Sequence, residues 1–283
     1  MYKIVGKRAL NAAGTTFEML VEAPLVARKC LAGQFIIFRT DEFGERVPLT
    51  IADYDREAGT VTIMFQPVGR STQLLAGLEP GDYIRDFVGP LGRPTEIADL
   101  KRAAVVGGGV GCAIAYPVAK AMHAAGVAVD MIAGFRSRDL VMLEDELKNS
   151  ASRLFIMTDD GSCGEKGFVT DKLRDLLEAG GRYDEVVAIG PGVMMKFVSL
   201  TTKPYGIKTV VSLNPIMIDG TGMCGGCRVS VGGETKFACV DGPEFDGQLV
   251  DWDELLRRGA FYRDAEAEQR EHACYLTGGA RHG

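Results

Sequence analysis

Over residues 1–97, apolar and polar positions alternate in short runs: YKIVGKRAL, TTFEMLVEA, GQFIIFRT, PLTIADYD and TVTIMFQPV. Side chains two apart share one face of a strand, so this rhythm predicts half-buried β-strands. Gly, Pro and Asp punctuate the runs at even intervals, which predicts a small antiparallel barrel. From about Leu100 the period changes. RAAVVGGGVG reads as a buried strand entering a glycine turn, and CAIAYPVAKAMHAAG as the helix that follows. Strands at VAVDMIAGF, RLFIMTDD and YDEVVAIGPG then alternate with helices at LVMLEDELKN, VTDKLRDLLEAG and MMKFVSLTTKPYG. Such alternation predicts a doubly wound parallel sheet over residues 98–212. Regularity stops after Ser212. A glycine- and cysteine-rich loop leads to a hairpin, CRVSV–GGE–TKFACV, and to a helix near DWDELLRRG, within a third segment, 213–283.

Composition narrows the class. The 283 residues are 46% hydrophobic and 25% charged, typical of a core-forming protein with about two domains of ordinary size. A formal net charge of −6 argues against nucleic acid or an anionic membrane as partner. The longest uncharged run, between Arg102 and Lys120, is broken by four glycines and Pro117, so no membrane span is expected. The start, MYKIVGKRAL, lacks the apolar stretch of a secretory signal. Seven cysteines at uneven spacing suit reduced thiols and metal ligands better than a disulfide framework, and a cytoplasmic location is expected.

Three motifs carry candidate chemistry. Gly107–Gly111 (GGGVG) closes a strand and opens a helix, where backbone N–H groups can approach a pyrophosphate. It departs from G-x-G-x-x-G, and no Gly-Lys-Ser/Thr follows, so nucleotide hydrolysis is not expected. Arg136 and Arg138 could hold cofactor phosphates or could simply be solvated. In the barrel, VPLT (Val47, Pro48, Leu49, Thr50) and VGRSTQLL (Val68 to Leu75) place Ser71 and Thr72 at a helix start, a phosphate site or a plain cap. The third motif is MIDGTGMCGGCRV. Plant-type [2Fe–2S] sites follow C-x₄-C-x₂-C with a distant fourth cysteine. Laid on this chain, the pattern falls on Asp219, Cys224, Cys227 and Cys239, an aspartate standing first. A zinc site on the same cysteines would usually need a second knuckle. Cys274 is the alternative fourth ligand. Cys30, Cys112 and Cys163 read as buried small residues.

A barrel with a phosphate-binding helix start followed by a nucleotide-binding α/β domain resembles the ferredoxin–NADP reductase superfamily. VPLT lies where that family carries Arg-x-Tyr/Pro-Ser/Thr, with Val47 in the arginine's place, Arg46 adjacent and Leu49 for a stacking aromatic. AIGPGVMMK resembles its Cys-Gly-Pro segment, with Ile189 for cysteine. The full order, ending in a cluster motif, is similar to the electron-transfer subunit of NAD-dependent dihydroorotate dehydrogenase. It is also similar to the small subunit of NADH-dependent reduced ferredoxin:NADP⁺ oxidoreductase, also called sulfide dehydrogenase beta subunit, in which an aspartate takes the first cysteine's place. ERVPLTIAD, GFRSRDLVMLEDEL, TDDGSCGEKGFVTD and DGTGMCGGC carry that second likeness.

The resemblance implies FAD in the barrel, NAD(H) on the α/β domain and a [2Fe–2S] cluster in the tail. It also implies a larger flavo-iron–sulfur partner subunit with a second FAD, two [4Fe–4S] clusters and the NADP(H) site, together bifurcating electrons to ferredoxin. By that likeness Val47–Thr50, Phe65, Gln66, Val68, Ser71 and Thr72 would line the flavin, with Thr50 near its reactive nitrogen and Thr72 on its pyrophosphate. Gly108, Gly109, Val110 and Gly111 would hold the dinucleotide phosphates, with Arg136 as a further phosphate candidate, and Asp160, Gly190 and Pro191 would border the far end. No side chain need act as acid or base. A dihydroorotate dehydrogenase partner and a zinc-stabilised binding module remain the competing expectations.

Overall fold

The computed structural model describes residues 1–261. Alternating apolar positions produce β1 (Tyr2–Ala9), β2 (Phe17–Glu22), β3 (Phe35–Arg39), β4 (Val47–Asp55), β5 (Thr60–Phe65), β6 (Tyr83–Ile84) and β7 (Asp86–Leu91). They pair antiparallel in the order β6-β1-β2-β5-β4-β3-β7. The two end strands are separated in the chain by Arg85 alone, so the sheet curls back on itself as a barrel. Its inward side chains, among them Ile4, Met19, Ile36, Phe38, Ile63 and Phe87, are fully buried. Each is worth about 1.5–3 kcal/mol relative to exposure. Helix α1 (Pro24–Ala27) and helix α2 (Arg70–Ala76) plug the barrel through Val26, Ala27 and Leu75.

The second unit contains β8 (Arg102–Gly108), α3 (Gly111–Ala124), β9 (Ala128–Phe135), α4 (Glu144–Asn149), β10 (Arg153–Thr158), β11 (Glu165–Lys166), α5 (Val169–Glu178), β12 (Glu185–Ile189), α6 (Gly192–Thr202) and β13 (Lys208–Ser212). The strands are parallel, in the order β11-β10-β9-β8-β12-β13. Nearly every residue of β8, β9 and β12 is buried, as a sheet covered on both faces requires. α3 and α4 cover one face, α5 and α6 the other. The segment expected as one helix at LVMLEDELKN begins with a short 3₁₀ turn at Arg138–Leu140, and α4 starts only at Glu144, after Leu143 in the left-handed region.

The C-terminal segment is woven into this sheet. β14 (Arg228–Val231) and β15 (Glu234–Phe237) form the expected hairpin, turning at Gly232 and Gly233. β16 (Glu244–Asp246) then pairs antiparallel with β13 and becomes the sheet's seventh strand. α7 (Trp252–Gly259) is capped by Asp251, whose carboxylate accepts from the Glu254 N–H. Trp252 packs with Val229, Val231 and Val250 on the α5–α6 face. No helix among the described residues is long and apolar enough to cross a membrane.

Candidate functional site

A cavity of about 1100 Å³ opens between the barrel and the α/β unit. Ligand pockets commonly measure roughly 300–1,000 Å³, so this one is at the large end and has room for a cofactor-sized group. The barrel wall comes from Pro48, Leu49 and Thr50 on β4, from Phe65 and Gln66 at the end of β5, and from Val68 and Thr72. Opposite lie Gly108, Gly109, Val110 and Gly111, with Arg136, Gly190 and Pro191 further along. These fourteen sequence candidates converge. Three others fall outside the lining. Val47 packs against the barrel core, Ser71 Oγ donates to the Glu45 carboxylate at 3.0 Å, and Asp160 accepts from Ser162 N–H and Oγ. Asp159, one residue earlier, faces the cavity instead.

The glycine loop is set by packing as much as by any ligand. A Cβ on Gly111 would clash with the carbonyl oxygen of Ile189, so the first turn of α3 can lie against β12 only with glycine there. Gly109 differs. Its φ is +58°, and a Cβ there would meet nothing, leaving bare backbone toward open space. That is the cradle an anionic dinucleotide requires. The Arg136 guanidinium is exposed at the cavity rim.

The sequence did not point to Asn11, Met217 or Pro243, which also line the cavity. Asn11 is nearly buried and folds the β1–β2 loop, accepting from Thr15 N–H at 2.9 Å. Met217 and Pro243 bring the C-terminal segment to the cavity; Met217 opens the cysteine motif, but nothing in the pattern marks either as a cavity wall.

The cysteine loop lies beside the barrel. Gly220 has φ +84°, and a Cβ there would strike Ile37 and Leu91 at 2.8 Å. Phe35, Ile37, Met217, Ala238, Cys227 and Cys239 form one buried cluster. Cys227 and Cys239 are free thiols with Sγ atoms 3.2 Å apart, close enough to share one metal ion. Burial, then the neighbouring Cys227, pushes the Cys239 thiol up to about 12, so a cation binding the pair would displace protons. Cys224 is exposed, and the Gly226 backbone chiefly holds its thiol below the ordinary range. One carboxylate oxygen of Asp219 accepts from Thr221 N–H (3.0 Å), Thr221 Oγ1 (2.7 Å) and Met223 N–H (3.1 Å), bonds that keep its pKa low. The four candidate ligands thus fall into a buried pair, Cys227 and Cys239, and a pair nearer solvent, half-buried Asp219 and exposed Cys224. Among the described residues, no three metal-ligating side chains gather at a single point. Cys274 lies outside the described residues.

Residues 214–251 match the iron–sulfur cluster binding domain of dihydroorotate dehydrogenase B. A homologue of the dihydroorotate dehydrogenase B (NAD⁺) electron transfer subunit from Thermotoga maritima is 47% identical, over 96% of this chain and 95% of the relative. An uncharacterised protein from Clostridium beijerinckii is 55% identical over 95% and 93%. Among solved structures, a chain of the NADH-dependent reduced ferredoxin-NADP oxidoreductase, determined in work on flavin-based electron bifurcation, is 44% identical. It covers 96% of this chain and 97% of its own, with a TM-score of 0.89. The cytochrome P450 reductase GcoB of Amycolatopsis, at 21% identity and a TM-score of 0.61 over 72% and 65%, shares the fold. Barrel, parallel sheet, shared cavity and cysteine loop define a ferredoxin-reductase-type oxidoreductase subunit for electron transfer. The chain belongs to the family of the dihydroorotate dehydrogenase B electron-transfer subunits and their homologues.

Proposed function

We propose that this chain passes electrons between NAD(H), an FAD in its barrel and a [2Fe–2S] cluster in its C-terminal loop. It would do so as the small subunit of a bifurcating NADH-dependent ferredoxin:NADP⁺ oxidoreductase in the cytoplasm. The observation that carries this reading is the position of the cysteine loop. Its Met217 lines the same cavity as Thr50 and Gly109, while its Gly220 wedges against the barrel strands. A flavin supplies the exchange between paired electrons from hydride and single electrons for a cluster.

The chain's own residues bind, orient and exclude water. Thr72 and Pro48–Thr50 would hold the flavin, with Ser71 and Val47 supporting that wall from behind. Gly108–Gly111 would seat the dinucleotide phosphates, Arg136 would pair with one of them, and Gly190 and Pro191 would border the nicotinamide, with Asp160 holding the nearby loop. Asp219, Cys224, Cys227 and Cys239 would hold the irons. An aspartate in the first ligand position keeps the formal charge of a thiolate and changes the donor's hardness. The larger partner would carry a second FAD, two [4Fe–4S] clusters and the NADP(H) site, with ferredoxin as the low-potential acceptor.

The match of residues 214–251 also favours a second reading, an electron-transfer subunit serving a dihydroorotate dehydrogenase. Purifying the native complex separates the two by the partner recovered. The same preparation should contain flavin, iron and labile sulfide, and Asp219→Ala should lower cluster retention or alter the EPR spectrum of the reduced protein. Zinc without iron or sulfide would overturn both readings, and an unchanged Asp219→Ala spectrum would move the fourth ligand elsewhere.

A further inference from the structure

The cysteine loop is framed by arginines that bind its carbonyl oxygens. Arg46, one residue before β4, donates from Nε to Ile218 O at 2.6 Å and from a terminal nitrogen to Asp219 O at 3.2 Å. Arg228, at the start of β14, donates to Gly225 O at 3.1 Å. Arg258 of α7 reaches Gly226 O at 3.5 Å, and Arg93 reaches Val240 O at 3.3 Å. A chain of net charge −6 thus gathers three cations around one short loop and a fourth on the residue after Cys239.

Two of these contacts share a geometry. In a trans peptide the C=O and the next residue's N–H point in opposite directions. Arg46 holds the carbonyl of the Ile218–Asp219 peptide, so that peptide's N–H is turned away from the guanidinium. Arg228 holds the carbonyl of the Gly225–Gly226 peptide, and Gly226 lies beside the Cys224 sulfur, which a Cβ there would meet at 3.6 Å. Each arginine therefore polarises a peptide of the ligand loop, the N–H end lying on the side away from the guanidinium.

We infer that Arg46 and Arg228 are positioning residues that raise the reduction potential of the cluster held by this loop, by holding cations on the carbonyls of two of its peptides. The inference rests on the cluster reading above. An electron taken up by irons held there would make the cluster and its ligands together more negative by one charge, with no bond formed or broken. Donors aimed at the sulfur, and cations behind them, favour that added charge. Arg46 has a second consequence. It sits beside the residues of β4 that line the cavity, so it ties the flavin wall to the ligand loop. In the likeness noted above, an arginine next to this position belongs to the flavin site, whereas here the side chain is turned to the loop.

The test uses the full-length, cluster-loaded protein in its native complex. Arg46→Gln and Arg228→Gln, singly and together, are assayed for iron, labile sulfide and flavin, and for midpoint potential by EPR-monitored redox titration. Each single variant should keep its cofactors and shift the cluster to a more negative potential. The expected size is about tenfold in the one-electron equilibrium, or about 59 mV. The double variant should shift further. Arg46→Lys and Arg228→Lys, which keep the charge, should move it less, and they serve as the readout if a glutamine variant loses iron. Arg93→Gln should shift it least, since Arg93 backs a different peptide and lies 3.9 Å from the Asp241 carboxylate.

Unchanged potentials in loaded glutamine variants would overturn the inference. So would lysine variants that shift as much as glutamine, or an Arg93→Gln shift as large as the others. Loss of flavin from Arg46→Gln with the potential intact would assign Arg46 to the flavin phosphates instead. Wild-type complex without iron would sink the cluster reading itself, a different failure.

Discussion

The two ends of the cavity are built on opposite plans. At the glycine loop, backbone is pressed on backbone: β8 lies between β9 and β12, and Gly111 leaves no room for a side chain against Ile189. At the cysteine loop, three glycines take positive φ, the Asp219 carboxylate caps its own turn, and arginines reach in from elsewhere. Met223 there is 88% exposed. The first end is shaped by the core and exists before any ligand. The second buries its cysteine pair against Phe35, Ile37 and Met217 but leaves Thr221, Met223 and Cys224 exposed, so metal ligation should contribute much of its stability.

The sharpest challenge to this contrast is Gly111→Ala. The methyl would meet a carbonyl oxygen of the central sheet, which cannot rotate away. A loss of at least about 3 kcal/mol is expected, read as a fall in soluble yield and melting temperature. A variant that melts like the parent would show that this end is not set by packing. Cys239→Ser addresses the other end. Iron should be lost entirely, and limited proteolysis should begin within residues 213–251 while the barrel and parallel sheet still melt cooperatively. Full iron content in that variant would break the comparison.

Glu244 lies on β16, with its carboxylate accepting from Thr95 Oγ1 at 2.7 Å. Removal from water, reinforced by the carboxylates of Glu185 and Glu96, raises its pKa to about 7, against an ordinary 4.5. The folded chain therefore holds a proton that the unfolded chain releases. Stability from this group falls as pH rises from about 4.5 to about 7 and is level above. Glu244→Gln keeps an acceptor for Thr95 and should flatten that slope, gaining about 2–3 kcal/mol at pH 8 in denaturant melts. An unaltered slope would place its origin elsewhere. The smallest effect is expected at Arg136→Ala. Removing an exposed cation from the cavity rim should weaken NAD(H) by about tenfold, or about 1.4 kcal/mol, when nucleotide is titrated against flavin bleaching.

The sequence makes the repetitive parts of this molecule readable. Alternation in TVTIMF and the continuous apolar runs of RAAVV and EVVAI correspond to β5, β8 and β12, because burial on one or two faces leaves a periodic trace. β16 leaves none, being three residues long and held by pairing with a strand more than thirty positions earlier. The same distance hides Arg46, whose partner carbonyls lie 172 and 173 residues away. Asp160 was the expected cavity residue, but β10 ends at Thr158 and Asp160 is spent on the Ser162 turn, leaving Asp159 to face inward. Motifs whose meaning is local were legible. Contacts closed by the tertiary fold were not.

The short β16 also governs where this protein can be cut. A chain ending at Ser212 would strip the partner from β13 and bare a row of amide and carbonyl groups beside Val210 and Val211. Such an edge invites strand addition from a neighbouring molecule. Trimming away the iron-binding portion would therefore yield a sticky stump, and the nucleotide half is best studied with its tail attached.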